Sequence, residues 1–308
     1  MPVDVALLES LRSFEDPRSG IAERLLTPRI GGASSVAVLS TPLAGKPTMG
    51  WLICSSYGAE QQYLMRPEVR IARTLAAKGF AVLRYHGQGY GDSERGAEHI
   101  SPASHRADAL DAAGILRSET VVEHVGLLGI RFGATTALMV AADSDSQAVV
   151  AVEPVLRGRT YVRSVLARSH ALRFGGNAAS NGAKTTGIPG AGDVLDVEGD
   201  PVSRASLRDL EAMDALGPAE RFMGASVILG VGRTAEPSEG LRTLADALGG
   251  RAGRAKLDVV AHPAALWLAV PSRRGQDSRG KAELWDLVIE RVETWCNALA
   301  SQAAGDVS

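Results

Sequence analysis

Gly129-Ile130-Arg131-Phe132-Gly133 is the first group of residues whose types and spacing bear on chemistry. The apolar run before it, Val125 to Leu128, has the pattern of a buried strand, and an apolar helix pattern follows it. A sharp turn between two glycines in that setting lifts its middle side chain above the end of a sheet. In a G-x-S-x-G turn that place is held by a catalytic serine. Here it is held by an arginine. Guanidinium is not a nucleophile at neutral pH, so no acyl-enzyme forms at this position. What Arg131 offers instead is a fork of donors at a helix N-terminus, which already carries positive partial charge. The pattern therefore predicts an anion seat, with Ile130 and Phe132 lining it. A buried arginine needs an anion beside it, and Glu153, Glu236 or an anionic group of a ligand would supply one.

Four further groups lie where strand-like runs end. His262 follows Lys256 to Val260 and precedes Pro263, a position suited to a general base toward water or substrate. Glu236 or Glu239, after the run Ser226 to Val231, would orient it. Ser55, Ser56 and Tyr57 follow Trp51 to Cys54, and their backbone N–H groups would steady an oxyanion. Ser55 or Ser56 is also the candidate for a displaced nucleophile that uses His262 as its base. His86 follows Phe80 to Tyr85 and is expected beside the same cleft as a substrate-binding residue. Gly87-Gln88-Gly89-Tyr90-Gly91 has neither dinucleotide nor phosphate-loop spacing, so it predicts a tight loop without a nucleotide. The six histidines lack metal-ligand spacing and the two cysteines, Cys54 and Cys296, lie far apart. No metal, cofactor or disulfide framework is expected.

The elements that must position these residues alternate between two periods. The runs just named, with Ala148 to Val152, are short, apolar and unalternating, as in strands covered on both faces. "ERLLTPRI" and "SSVAVLSTP" alternate more and suggest an antiparallel start to the same sheet. Helix patterns span Pro67 to Ala77, Ser101-Pro102 to Leu116, and Leu241, Leu244 and Leu248 before Gly249-Gly250. Leu284, Val288, Val292, Trp295 and Leu299 form a last apolar stripe. Strand–helix alternation of this kind implies an α/β fold with a mostly parallel sheet. The rhythm breaks at Arg173 to Asp193, rich in glycine, alanine and polar residues, before a stripe of Leu207, Leu210, Met213 and Leu216. This predicts core over 1–166 and 223–300, a cap or lid over 167–222, and a disordered tail over 301–308.

Composition narrows the class further. With 33 basic and 35 acidic residues in 308, the net charge of −2 favours neither nucleic acid nor an anionic membrane as partner. Apolar residues at 45% and charged residues at 22% suit an ordinary soluble domain. The N-terminal "MPVDVALLESLRSFEDP" lacks a basic region followed by an apolar run, and no stretch is long enough to cross a bilayer. A cytoplasmic protein is expected.

In order along the chain, "SSYGAE" (Ser55 to Glu60), "VLRYHGQGYGDSE" (Val82 to Glu94), "GLLGIRFGA" (Gly126 to Ala134) and "HPAALW" (His262 to Trp267) resemble the oxyanion loop, the loop after the fourth strand, the elbow and the histidine loop of the α/β-hydrolase superfamily. More narrowly, "GIRFGA" and "VEPVLRGRTYVRSVL" (Val152 to Leu166) resemble exosortase A system-associated and related biosynthetic-cluster hydrolases, with G-x-R-x-G in place of G-x-S-x-G. The resemblance implies an α/β-hydrolase fold with a small cap. It implies an enzyme acting on an acyl substrate, an ester, thioester or lactone, free or on a carrier protein. Arg131 would be its anion clamp and His262 its base. Two other readings stand beside this one: an inactive frame that binds an acidic ligand or partner, and a covalent hydrolase whose nucleophile is Ser55 or Ser56.

Overall fold

The computed structural model describes residues 12–175, 194–198, 200–264, 266 and 277–305. Among them the strands, in chain order, are β1 (Ser13–Asp16), β2 (Ile21–Leu26), β3 (Arg29–Ile30), β4 (Ala33–Ser34), β5 (Ala37–Pro42), β6 (Gly50–Cys54), β7 (Ala81–Tyr85), β8 (Val125–Ile130), β9 (Ala148–Val152), β10 (Val194–Val197), β11 (Asp200–Ser203), β12 (Ala225–Gly232) and β13 (Ala255–Ala261). The helices are α1 (Ala59–Ala77), α2 (Pro102–Glu119), α3 (Phe132–Val140), α4 (Gly158–Gly175), α5 (Arg204–Ala212), α6 (Leu216–Arg221), α7 (Glu239–Ala247) and α8 (Asp277–Gly305).

Nine strands form one sheet in the order β1-β2-β5-β7-β6-β8-β9-β12-β13. The first pairings, β1 with β2, β2 with β5 and β5 with β7, are antiparallel, and every later one is parallel. This is the α/β-hydrolase fold, with the antiparallel start that alternation in β2 and β5 predicted. β6, β8 and β9 are buried at every position because helices cover both faces. One face packs against α2, α3, α6 and α7 through residues such as Leu116, Leu138, Phe222 and Leu244. The other packs against α1 and α8 through Ile71, Leu75, Val288 and Val292.

Four local expectations are corrected. α1 starts at Ala59, two turns before Pro67, which lies inside the helix. The loss of that N–H is outweighed by burial of Leu64, Ile71 and Leu75 on one face. The Leu207–Leu216 stripe is not one helix. Met213 turns extended, and Asp214 pairs with Arg157 and accepts the Leu216 N–H at 3.0 Å, so α5 stops and α6 starts anew. On α8 the buried position is Cys296, whereas the half-buried Trp295 donates from Nε1 to Asp258 Oδ2 at 2.8 Å. Residues 301–305 continue α8 and are no loose tail. Ser101 caps α2 in a capping box with Ser104, ahead of Pro102, as its sequence indicated. No helix of the described residues is long and apolar enough to cross a membrane.

Candidate functional site

Two parallel neighbours, β8 and β9, are each followed at once by a residue with positive φ: Arg131 at 56° and Glu153 at 48°. Glycine adopts such angles freely; an arginine and a glutamate do so only when the surroundings impose it. The surroundings here are tight. A Cβ on Gly129 would lie 2.2 Å from the Gly133 carbonyl carbon, and one on Gly133 would lie 2.2 Å from the Cys54 carbonyl oxygen. The Arg131 N–H donates to Val152 O at 2.8 Å, which ties the elbow to β9. With ψ at −121°, Arg131 is the N-cap of α3, and its side chain stands over the C-terminal edge of the sheet.

The anion beside it is Glu60, from the first turn of α1. Arg131 Nε lies 3.4 Å from Glu60 Oε1, with the guanidinium side chain 18% exposed and the carboxylate 1%. At that length the contact is an ion pair without a well-formed hydrogen bond. Glu60 Oε2 accepts the Phe132 N–H at 3.4 Å, while Oε1 accepts no hydrogen bond. Burial pushes the Glu60 carboxyl above its ordinary range, and Arg131 pulls back against that shift. Glu153 is also shifted up by burial. It accepts the Val231 N–H at 2.6 Å and feels Arg131 as a favourable charge. Of the expected partners, then, Glu153 is close enough to interact electrostatically, whereas Glu236 is not part of the site. Glu236 sits on the surface, paired with Arg242 at 2.9 Å. Glu60 carried no sequence signal beyond lying at the end of "SSYGAE".

The remaining predicted residues separate into three places. Ser55 and Ser56 do lie beside the elbow, but as struts. Ser55 Oγ donates to Tyr85 O at 3.0 Å. Ser56 Oγ donates to Ile130 O at 2.6 Å and accepts the Gly133 N–H at 3.2 Å. Both are buried and neither touches a histidine side chain through its hydroxyl. Tyr57 and Phe132 lie in an aromatic cluster with His105 and Tyr161, ring centroids 5.2 to 5.6 Å apart. Ile130 is fully buried in β8 and contributes its carbonyl.

His262 stands at the end of β13, where its N–H donates to Gly232 O at 2.7 Å. Its Nδ1 accepts the Ala264 N–H at 3.1 Å. A ring whose Nδ1 is an acceptor carries its neutral-form proton on Nε2, the reverse of what an acid-oriented base needs. Neither Glu236 nor Glu239 is among its contacts: Glu236 pairs with Arg242, and Glu239 begins α7. His86 is half-buried, with Nδ1 accepting the Asp92 N–H at 3.1 Å.

His105 on α2 is a polar residue the sequence did not single out. It is buried, and burial lowers its pKa to about 4. The neutral ring hydrogen-bonds the Ser55 backbone and, through Nε2, Tyr90 Oη at 3.1 Å. Tyr90 Oη in turn accepts the Gly58 N–H at 2.7 Å. Against this network pack residues of α5. Ser206 donates to Ile100 O at 2.9 Å and so receives the Tyr57 hydroxyl at 2.8 Å, while Leu207 and Leu210 pack in the same cluster as Phe132 and Tyr161. Arg168 on α4 pairs with Glu198 at 2.9 Å, both nearly buried. The glycine-rich stretch of the expected cap, 176–193, lies outside the described residues. Among the described residues, no cluster of three or more His, Cys, Asp or Glu is placed to hold a metal ion.

No family model and no curated protein matches the sequence. Solved structures do. Est1E from Butyrivibrio proteoclasticus, with ferulic acid bound, has a TM-score of 0.63 at 16% identity over 90% of this chain and 99% of that one. The Pyrococcus furiosus esterase Pf2001 has a TM-score of 0.62 at 10% identity, over 94% of both chains. A putative dienelactone hydrolase from Klebsiella pneumoniae has a TM-score of 0.51 at 14% identity, over 92% of this chain and 99% of that one. These likenesses establish the fold over nearly the whole chain.

Proposed function

We propose that this α/β-hydrolase-fold chain acts on an ester-type small molecule by a non-covalent route, with Glu60 as general base and Arg131 as the charge that receives the oxyanion. The observation that carries the reading is Glu60 Oε1, a buried carboxylate oxygen without a hydrogen bond, facing the guanidinium at the tip of the elbow. Desolvation makes that oxygen more basic than a surface carboxylate. In the reaction Glu60 takes a proton from water as the water oxygen bonds to the acyl carbon. The negative charge that builds on the carbonyl oxygen lies against Arg131. Collapse breaks the ester C–O bond, and the departing alkoxide recovers the proton from Glu60, leaving acid and alcohol. The G-x-R-x-G-A resemblance of the elbow fits this route, because it too dispenses with a serine. His262 has no proton-transfer role in it.

The test is turnover of short p-nitrophenyl acyl esters after fluorophosphonate treatment. We expect activity that survives the reagent with no added mass on Ser55 or Ser56. Glu60→Gln should lower kcat by about a hundredfold or more, the range of a lost general base, while His262→Ala should stay within a few-fold of the parent. Loss of activity to the reagent, or a Glu60→Gln enzyme as fast as the parent, overturns the proposal.

A second reading is favoured by Glu60 Oε2, which occupies the Phe132 N–H, the donor an oxyanion in this fold would use. On that reading the elbow binds an acidic ligand without turnover. It predicts no hydrolysis of any ester, but a rise in melting temperature with butyrate or benzoate that Arg131→Ala abolishes.

A further inference from the structure

Glu60 stands in the middle of a row of largely buried charges. On one side is Arg131, its Nε 3.4 Å from Glu60 Oε1. Beyond Arg131, just past β9, is Glu153. The Arg131 N–H donates to Val152 O at 2.8 Å, which sets the two residues side by side, and the guanidinium favours the Glu153 carboxylate. On the other side of Glu60 is α4. Its Tyr161 ring packs 5.6 Å from that of Phe132, the residue after Arg131, and Arg168 follows two turns later on the same face. Glu60 feels the Arg168 guanidinium as a second favourable charge. Arg168 is gripped in turn by Glu198, between β10 and β11, with Nε to Oε1 at 2.9 Å and Nη2 to Oε2 at 3.3 Å. The order is therefore Glu153, Arg131, Glu60, Arg168, Glu198, with three carboxylates dividing two guanidiniums.

The two outer carboxylates are fixed in ways that ordinary counter-ions are not. Both residues have positive φ, 48° for Glu153 and 57° for Glu198. A glutamate keeps such an angle only where its surroundings impose it, and Glu153 also precedes Pro154, which narrows its backbone further. Other bonds hold each in place. Glu153 Oε1 accepts the Val231 N–H at 2.6 Å, and its own N–H donates to Leu229 O at 2.9 Å. The Glu198 N–H donates to Ser169 Oγ at 3.2 Å, and its side chain is 6% exposed. The other titratable groups around Glu60 are Tyr90 and Tyr161, which burial keeps protonated, and His105, which burial keeps neutral. Asp200 Oδ2 lies 3.7 Å from where a Cβ on Gly58 would stand.

A carboxylate facing two undivided guanidiniums is a poor proton acceptor, because both favour its charged form. An arginine that already serves a second carboxylate pulls less. We infer that Glu153 and Glu198 are positioning residues for Glu60: each takes up one arginine, so that the carboxylate between the two remains able to accept a proton. The inference deepens the base role proposed above and rests on it for its catalytic meaning. The division of charge itself is measurable without substrate.

Carboxyl carbon-13 NMR of the full chain, labelled at glutamate Cδ, follows the ionisation of Glu60 directly, its signal identified by its loss in Glu60→Gln. Glu153→Gln and Glu198→Gln should each move the Glu60 midpoint to lower pH by about one pH unit, and Arg168→Met should move it up by a similar amount. Arg168→Met/Glu198→Met replaces a buried pair by apolar side chains, which protects the fold, and should bring the midpoint back close to the parent's. The opposite signs separate charge from packing. A hairpin merely loosened would let water reach Glu60 and lower its midpoint in Arg168→Met as well. With an ester substrate, the acid limb of kcat/KM should move with the same signs. Midpoints that stay in place in the two glutamine variants, or one that falls in Arg168→Met, overturn the inference. Midpoints that move as stated in a protein that hydrolyses no ester support it while removing the reaction.

Discussion

Arg131 and Glu60 illustrate what a residue-scale reading does and does not reach. The arginine was legible because its two glycines mark the turn, and the chemistry of guanidinium excludes a covalent route whatever surrounds it. Its anion was not legible, because Glu60 arrives from α1 and looks in sequence like any exposed first-turn glutamate. For His262 the strand-end place was legible, and the hydrogen bond its Nδ1 accepts from the Ala264 N–H was not. The ion pair makes a stability prediction. Arg131→Met strands a nearly buried carboxylate and should cost about 2–4 kcal/mol at neutral pH. In a Glu60→Gln background the same change should cost much less, as urea melts of the two singles and the double will show.

Titration supplies a second prediction at this scale. Glu68 has a folded pKa of about 8, above its ordinary value, so the folded state holds a proton that the unfolded chain releases. Its contribution to stability is intact below the ordinary carboxyl pKa and is lost as pH rises from there through 8, by about 5 kcal/mol in all. His105, lowered to about 4, acts in the other direction: the unfolded chain binds the extra proton, so stability falls as pH drops from 6.5 toward 4. Chemical denaturation across pH 4–9 should therefore give a maximum on the acid side of neutrality. Glu68→Gln should flatten the alkaline arm alone. An alkaline arm of unchanged slope in that variant would remove Glu68 as its cause.

At the scale of elements, the elbow depends on backbone meeting backbone. A Cβ on Gly133 has no room against Cys54 O, and neither strand nor helix can shift without unseating Arg131. Gly133→Ala should thus destabilise by more than about 3 kcal/mol, in the class of overpacked cores. Ser101→Ala, which deletes only the cap of α2, should cost about 1 kcal/mol. Comparable melting temperatures for the two would mean that the turn tolerates a side chain. The buried strands were readable because parallel strands covered on both faces admit little but apolar residues, as β6, β8 and β9 show. Helix limits were readable where a capping residue stood, as at Ser101. They were misread where tertiary burial overrode a local signal at Pro67, or where a long-range bridge to Arg157 cut a continuous stripe at Asp214.

The described residues form three apolar clusters, two on the faces of the sheet and a third over its carboxyl edge. The third is made between the loops of the site and the β10–β11 hairpin with α5: Tyr57, Phe132 and Tyr161 from the first, Val197, Val202, Leu207 and Leu210 from the second. It shares none of its buried members with the sheet clusters, so the β10–β11 hairpin and α5 have their own hold on the core. Units joined through a small separate cluster open below the free energy of global unfolding. Leu210, 1% exposed, sits in that cluster, and Leu210→Ala should remove about 2–4 kcal/mol of packing. If the cap is such a unit, that loss falls on it alone. Amide exchange in α5 and the hairpin should then accelerate by roughly a hundredfold or more, while amides of β8 and β9 keep the protection they had. The Phe132 N–H should follow the cap, since opening would uncover the ring that shields it. A uniform acceleration through β8, β9 and α5 would show instead that cap and sheet unfold as one, and the elbow would then be reachable only through the closed form.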